Sequence, residues 1–233
     1  MLILKKAFSL AAILALGSTA AHATIIDFVE LTEGTDQLGE SAWSTLNIAG
    51  SDFNLAITGS QSNDGAYAYL DWNHAGLGVC GTVSNTGAHP NSGGNVCNPG
   101  SDDNVTTGEV LSFIFDTDVI IDRIWFNNTH DDDGEIRAPE YLMIGGSQVQ
   151  VPGNGYATGN SYNNNPNLQA SAGNFLGSYG ATAGTAFTIG FGNEQFYVSG
   201  MEVRAVKVPE PSTLALFGIG LIGMGVARRR RKA

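Results

Sequence analysis

The stretch Glu109–Asp116, EVLSFIFD, alternates strictly: Leu111, Phe113 and Phe115 fall on one side, and Val110, Ser112, Ile114 and Asp116 on the other. A period of two sends successive side chains to opposite faces of a strand, and the uniformly apolar side is expected to face the core. Runs of similar length and β-rich composition recur at 24–31, 43–50, 53–59, 66–72, 119–128, 140–146, 147–151, 186–192 and 195–206. They are separated by Gly, Asn, Asp and Ser, and helical periodicity is scarce. About nine or ten strands in one helix-poor domain predict an all-β fold, two antiparallel sheets packed as a sandwich. Long Gly/Asn-rich loops make a jelly-roll-like arrangement the first expectation.

Two details sharpen this. The tripeptide DTD at 116–118 predicts a tight turn, which makes 109–116 and 119–128 a hairpin. In the second run Ile121, Arg123 and Trp125 oppose Ile120, Asp122, Ile124 and Phe126, so its core face stays open. Residues 152–184 read as a long Gly/Asn-rich insertion. Its Tyr156, Tyr162 and Tyr179 would suit stacking on sugars, and a polar loop with scattered tyrosines is the plain alternative.

Both ends of the chain look unlike the middle. Met1–Ala23 carries Lys5 and Lys6, an apolar stretch from Ala7 to Leu16, and small residues at Ala21 and Ala23. That is the pattern of a secretory signal peptide, with cleavage expected before Thr24. At the other end, Pro209, Glu210 and Pro211 precede an apolar run of 16 residues, Ser212–Ala227, spotted with glycine and closed by Arg228–Lys232. The run lies at the lower limit of the roughly 17–25 residues that span a bilayer. The basic cluster would hold the C-terminus in the cytoplasm. A permanent anchor and a removable address label both fit those physical facts.

The order and spacing of these features resemble the PEP-CTERM sorting signal. That resemblance implies a transient membrane segment recognised by an exosortase, a processing enzyme of Gram-negative bacteria that produce exopolysaccharide. It makes the tail, 208–233, an address label, and covers only the tail. The organisation expected is therefore a signal peptide (1–23), a β-sandwich domain (24–207) and a sorting tail.

Without its ends the domain holds Arg123, Arg137, Arg204 and Lys207 against 21 acidic residues, a net charge of −17. Such a surface is a poor partner for nucleic acid or anionic lipid, whereas divalent cations suit it. Simple solubility of a secreted protein explains acidity equally well. The two cysteines of the chain, Cys80 and Cys97, have 16 residues between them, and in an exported protein a disulfide is the first expectation. A metal or redox pair would want C-x-x-C spacing or clustered histidine.

The residues offer little to an enzyme. His74, His89 and His130 fall in different loops, and no nucleophile elbow, zinc or phosphate-loop motif is present. Nothing selects a pair of carboxylates for glycoside hydrolysis. The stronger constellation is acidic: Asp102, Asp103, Asn104 and Glu109 before one strand, and Asp131, Asp132, Asp133 and Glu135 after the next. If the two strands pair, both loops meet at one end of the sandwich and could hold Ca²⁺, which takes six to eight oxygen ligands. Asp64 and Asp71 are further candidates, and solvated turn residues are the competing reading. Trp72, in YLDWNHAGLG, is a candidate stacking platform for a sugar, or else a core residue. The expectation is an exported matrix-associated protein, structural or interacting with exopolysaccharide. A Ca²⁺-dependent carbohydrate-binding module is the alternative, and a glycoside hydrolase a more distant one.

Overall fold

The computed structural model describes residues 22–33, 38–62, 64–72, 75–84, 95–100, 102–127, 140–150 and 178–207. All but Lys207 belong to one unit, His22–Val206. The chain opens with β1 (Thr24–Asp27), the short helix α1 (Phe28–Glu33), β2 (Ser41–Trp43) and β3 (Leu46–Ala49). Then come β4 (Asn54–Gln61), β5 (Asp64–Asp71), β6 (Gly76–Cys80), β7 (Val83–Ser84) and β8 (Val96–Cys97). The later strands are β9 (Glu109–Phe115), β10 (Val119–Asn127), β11 (Tyr141–Ile144) and β12 (Ser147–Gln150). The last are β13 (Tyr179–Ala181), β14 (Ala186–Gly190) and β15 (Tyr197–Ala205).

The fold is the expected antiparallel β-sandwich. One half runs β12-β11-β14-β9-β4, with β3 on β4; the other runs β5-β6-β15-β10-β13, with β1 on β15 and β2 on β5. Strand β5 pairs with β4 through Asp64–Ala66, then departs to pair with β2 and β6. At that corner a side chain on Gly59 would meet the Tyr67 carbonyl oxygen at 2.5 Å, so only glycine lets the strands cross so closely. Between the halves lies one apolar core that includes Leu55, Ile57, Phe113, Phe115, Ile124, Phe126 and Val203. As the alternation requires, Leu111, Phe113 and Phe115 point inward.

Several expectations need correction. Strand β9 pairs with β4 and β14, and β10 with β13 and β15, so DTD is a crossover between the halves and not a hairpin turn. Both strands already have partners on each side, chosen by which apolar faces must meet. The open question in β10 has a cause: its register with β15 shifts between Ile121 and Arg123. This bulge at Asp122 reverses the alternation, so Val119 and Ile121 point inward before it, and Ile124 and Phe126 after it.

The run 24–31 is not one strand. The Asp27 carboxylate accepts the Glu30 N–H at 2.9 Å, an N-cap that starts α1 and turns Phe28 and Val29 into the core. The insertion 152–184 contains β13, and its Tyr179 packs on Phe187 with ring centroids 5.6 Å apart, so it serves the core in place of a sugar platform. Tyr156 and Tyr162 lie outside the described residues. Strand β6, GLGVC, went unpredicted because five wholly buried residues show no alternation.

Candidate functional site

The two cysteines form a disulfide, with Cα atoms 5.6 Å apart. It ties the end of β6 to β8, and the β7–β8 pair closes the same neck. Beyond Cys97 the chain returns across β6: the Val79 N–H donates to the Asn104 carbonyl, and Val105 exchanges backbone hydrogen bonds with Phe196. The acidic segment is thereby laid across the sheet.

Within the expected calcium set, Asp102, Asp103, Glu109 and Asp71 have protein partners. Asp102 accepts the Gly81 N–H at 3.1 Å, and Asp103 accepts the Tyr197 hydroxyl at 2.8 Å. Glu109 accepts the Thr106 N–H (2.8 Å) and hydroxyl (2.9 Å) on Oε2, and the Gln61 amide (3.0 Å) on Oε1. Asp71 is buried and accepts the Trp72 N–H at 2.8 Å, while Asp64 opens β5. Asp131, Asp132, Asp133, Glu135 and the three histidines lie outside the described residues. Among the described residues, no three His, Cys, Asp or Glu side chains are grouped as a metal site.

Burial sets the electrostatics of Glu109, which is 1% exposed. Loss of hydration, with a smaller contribution from Asp102, pushes its carboxyl from 4.5 up to about 7 against the hydrogen bonds that favour the anion. Between those pH values the folded chain holds a proton that the unfolded chain releases. Stability is therefore greatest below about pH 4.5 on this account and falls as pH rises to 7. Urea unfolding at pH 5 and pH 8 should show the decline. Glu109→Gln keeps the side-chain shape and should remove it, gaining about 2 kcal/mol at pH 8.

Tyr69 is held by a comparable arrangement. Its hydroxyl donates to Glu40 at 2.6 Å, and burial, reinforced by that carboxylate, raises its pKa far above the usual tyrosine range. Trp72, just beyond β5, is 36% exposed, so it is not the core residue that its hydrophobicity allowed. Spacing alone had no way to find Gln61 or Tyr197, because their partners Glu109 and Asp103 are remote in sequence; Thr106 is a local turn contact, three residues before Glu109.

Against known proteins, the chain matches one family model, the PEP-CTERM protein-sorting motif, over residues 207–232. Neither the curated proteins nor the solved structures returned a match. The class is thus an exported all-β protein with an acidic, disulfide-closed sandwich. Its tail carries the PEP-CTERM motif, which marks the chain for membrane-associated sorting and processing by exosortase. Pro209, Glu210 and Pro211 lie within the matched residues and outside the described structure. No helix among the described residues is long and apolar enough to cross a membrane.

Proposed function

We propose that this protein is a structural component of the extracellular matrix, delivered through its tail and associated there with exopolysaccharide. The observation that carries the reading is the sorting motif at 207–232. Exosortase removes the tail, so the address label, not the permanent anchor, describes its role. A disulfide and a small polar surface suit a hydrated exterior. Mass spectrometry of the surface-exposed protein should find a chain that begins at Thr24 and lacks Arg228–Lys232. Recovery of that cluster intact on the mature protein would leave the anchor in place. Fractionation should find the domain with the extracellular polymer.

The exposure of Trp72 favours a second reading, a Ca²⁺-dependent carbohydrate-binding module with this ring as its platform. On that reading millimolar Ca²⁺, and not Mg²⁺, raises the unfolding midpoint saturably, and Trp72→Ala abolishes retardation in polysaccharide gels. An unchanged midpoint in both ions returns Asp102, Asp103 and Glu109 to purely structural duty.

A further inference from the structure

The two outer faces of the sandwich differ in charge. On the β10–β15 face, Asp122 pairs with Arg204 at 2.7 Å and Arg123 with Glu202 at 3.1 Å. Both pairs sit at partly exposed positions of these strands. The opposite face is built from β3, β4, β9, β14, β11 and β12, and its outward positions alternate with the core residues of those strands. Within these strands every outward residue, from Asn47 to Gln150, is Asn, Ala, Thr, Ser, Val, Ile, Gly, Tyr, Met or Gln. None carries a charge, although the domain as a whole is strongly acidic.

Register adds an order to this composition. Thr58 lies opposite Ser112, and Ser112 opposite Thr188, so three hydroxyl-bearing residues form a row across adjacent strands. Their spacing is that of the strands, about 4.8 Å. At one end of the face an open depression of about 480 Å³ lies among Asn47, Asn54, Ala56 and Ile114. Its bordering carboxylate, Asp116, accepts both the backbone N–H and the side-chain amide of Asn54, at 2.8 and 2.6 Å. At the far side Gln148 and Gln150 stand opposite Met143 and Tyr141.

We propose that this uncharged face binds a neutral, hydroxyl-rich polysaccharide strand laid across the sheet. The inference rests on the matrix reading above and gives it a site. Small side chains at Ala56, Thr58, Ser60, Ser112 and Thr188 leave low relief along the middle of the face, where an extended polymer can lie. Hydroxyl and amide groups at strand spacing offer donors and acceptors to sugar hydroxyls, and Tyr141 offers a ring. Charge decides the class of polymer. An anionic polysaccharide would meet a repelling domain and no basic residue on this face, whereas a neutral one meets no penalty.

The test is native affinity electrophoresis of the purified exported chain in gels containing hydroxyethylcellulose, galactomannan, dextran or alginate. At least one neutral polymer should retard the protein, and alginate should not. Ser112→Glu and Thr188→Glu should each weaken that retardation at least about tenfold, because a buried carboxylate would lack a partner beneath the polymer. Gln148→Glu, at an exposed edge position, should do the same should the inner variants fail to fold. Trp72→Ala should leave retardation unchanged.

Equal retardation of the folded face variants overturns the inference, as does preference for alginate or abolition by Trp72→Ala alone. Sedimentation supplies the remaining discrimination: a parent dimer that Ser112→Glu splits makes the face a contact between copies instead. Parent protein that no neutral polymer retards, yet fractionates with the cells' own extracellular polymer, sinks this site and spares the matrix reading. Absence from both sinks that reading too.

Discussion

Gly78→Ala is expected to cost more than about 3 kcal/mol and to lower the unfolding midpoint by roughly 10 °C. A methyl group at this position would overlap the Asp103 carbonyl oxygen and fall 2.9 Å from the Asn104 Cα. Overpacking is tolerable when a flexible side chain can move aside, but here the obstacle is backbone. That backbone is fixed by the disulfide at Cys97, the bond from Val79 to Asn104, and the pairing of Val105 with Phe196. The crossing segment must lift as one piece, and Asp103 then loses the Tyr197 hydroxyl. Gly65→Ala is the matched control, since a methyl group there meets nothing within 4 Å. A midpoint for Gly78→Ala equal to that of Gly65→Ala would show that segment 102–105 does not rest on β6.

Loss of the disulfide should rank next. Cys80 and Cys97 close a loop whose interior, GTVSNTGAHPNSGGNV, has too few apolar residues to pack itself. Cross-linking a loop of this length restricts the unfolded chain by about 3 kcal/mol in the chain-entropy model. Cys80→Ala with Cys97→Ala should therefore lower the midpoint by about 10 °C. The change should be visible as earlier hydrogen exchange at Gly81 and Val105, whose amides report the acidic crossing. A double variant that melts with the parent would mean that β7–β8 and the backbone bonds around Asn95 and Asn98 already hold the neck closed.

The pH response of Glu109 belongs to the same structure. Its partners Thr106 and Gln61 come from the turn before β9 and from the end of β4, and they meet because β4 and β9 pair from Gln61↔Glu109 onward. Asp102, Asp103 and Glu109 each accept a hydrogen bond within the protein, from Gly81, Tyr197 and Thr106 respectively. Their hydrogen bonds disperse them over three different elements.

Much of the architecture was legible from local chemistry. Alternation identified β9 and its core face, because a strand between water and an apolar layer must repeat every two residues. The successive glycines 145 and 146, both at positive φ, join β11 to β12 where two short runs adjoined. The cysteine pair and the sorting motif were equally local, one set by compartment and the other by an ordered set of features within about 26 residues. Pairing was a different matter. Whether 109–115 turned back on 119–127 or crossed to the other sheet depended on partners as distant as β4, β14 and β15, and a tripeptide turn permits either. Wholly buried β6 had no period to read, and the bulge at Asp122 broke the one in β10. The sequence by itself determined an exported, acidic, disulfide-bearing all-β protein with a sorting tail, since each of those traits follows from residue type and near neighbours. Only the tertiary structure decided which faces carry charge and which carry none, because a face is assembled from strands that the chain visits far apart.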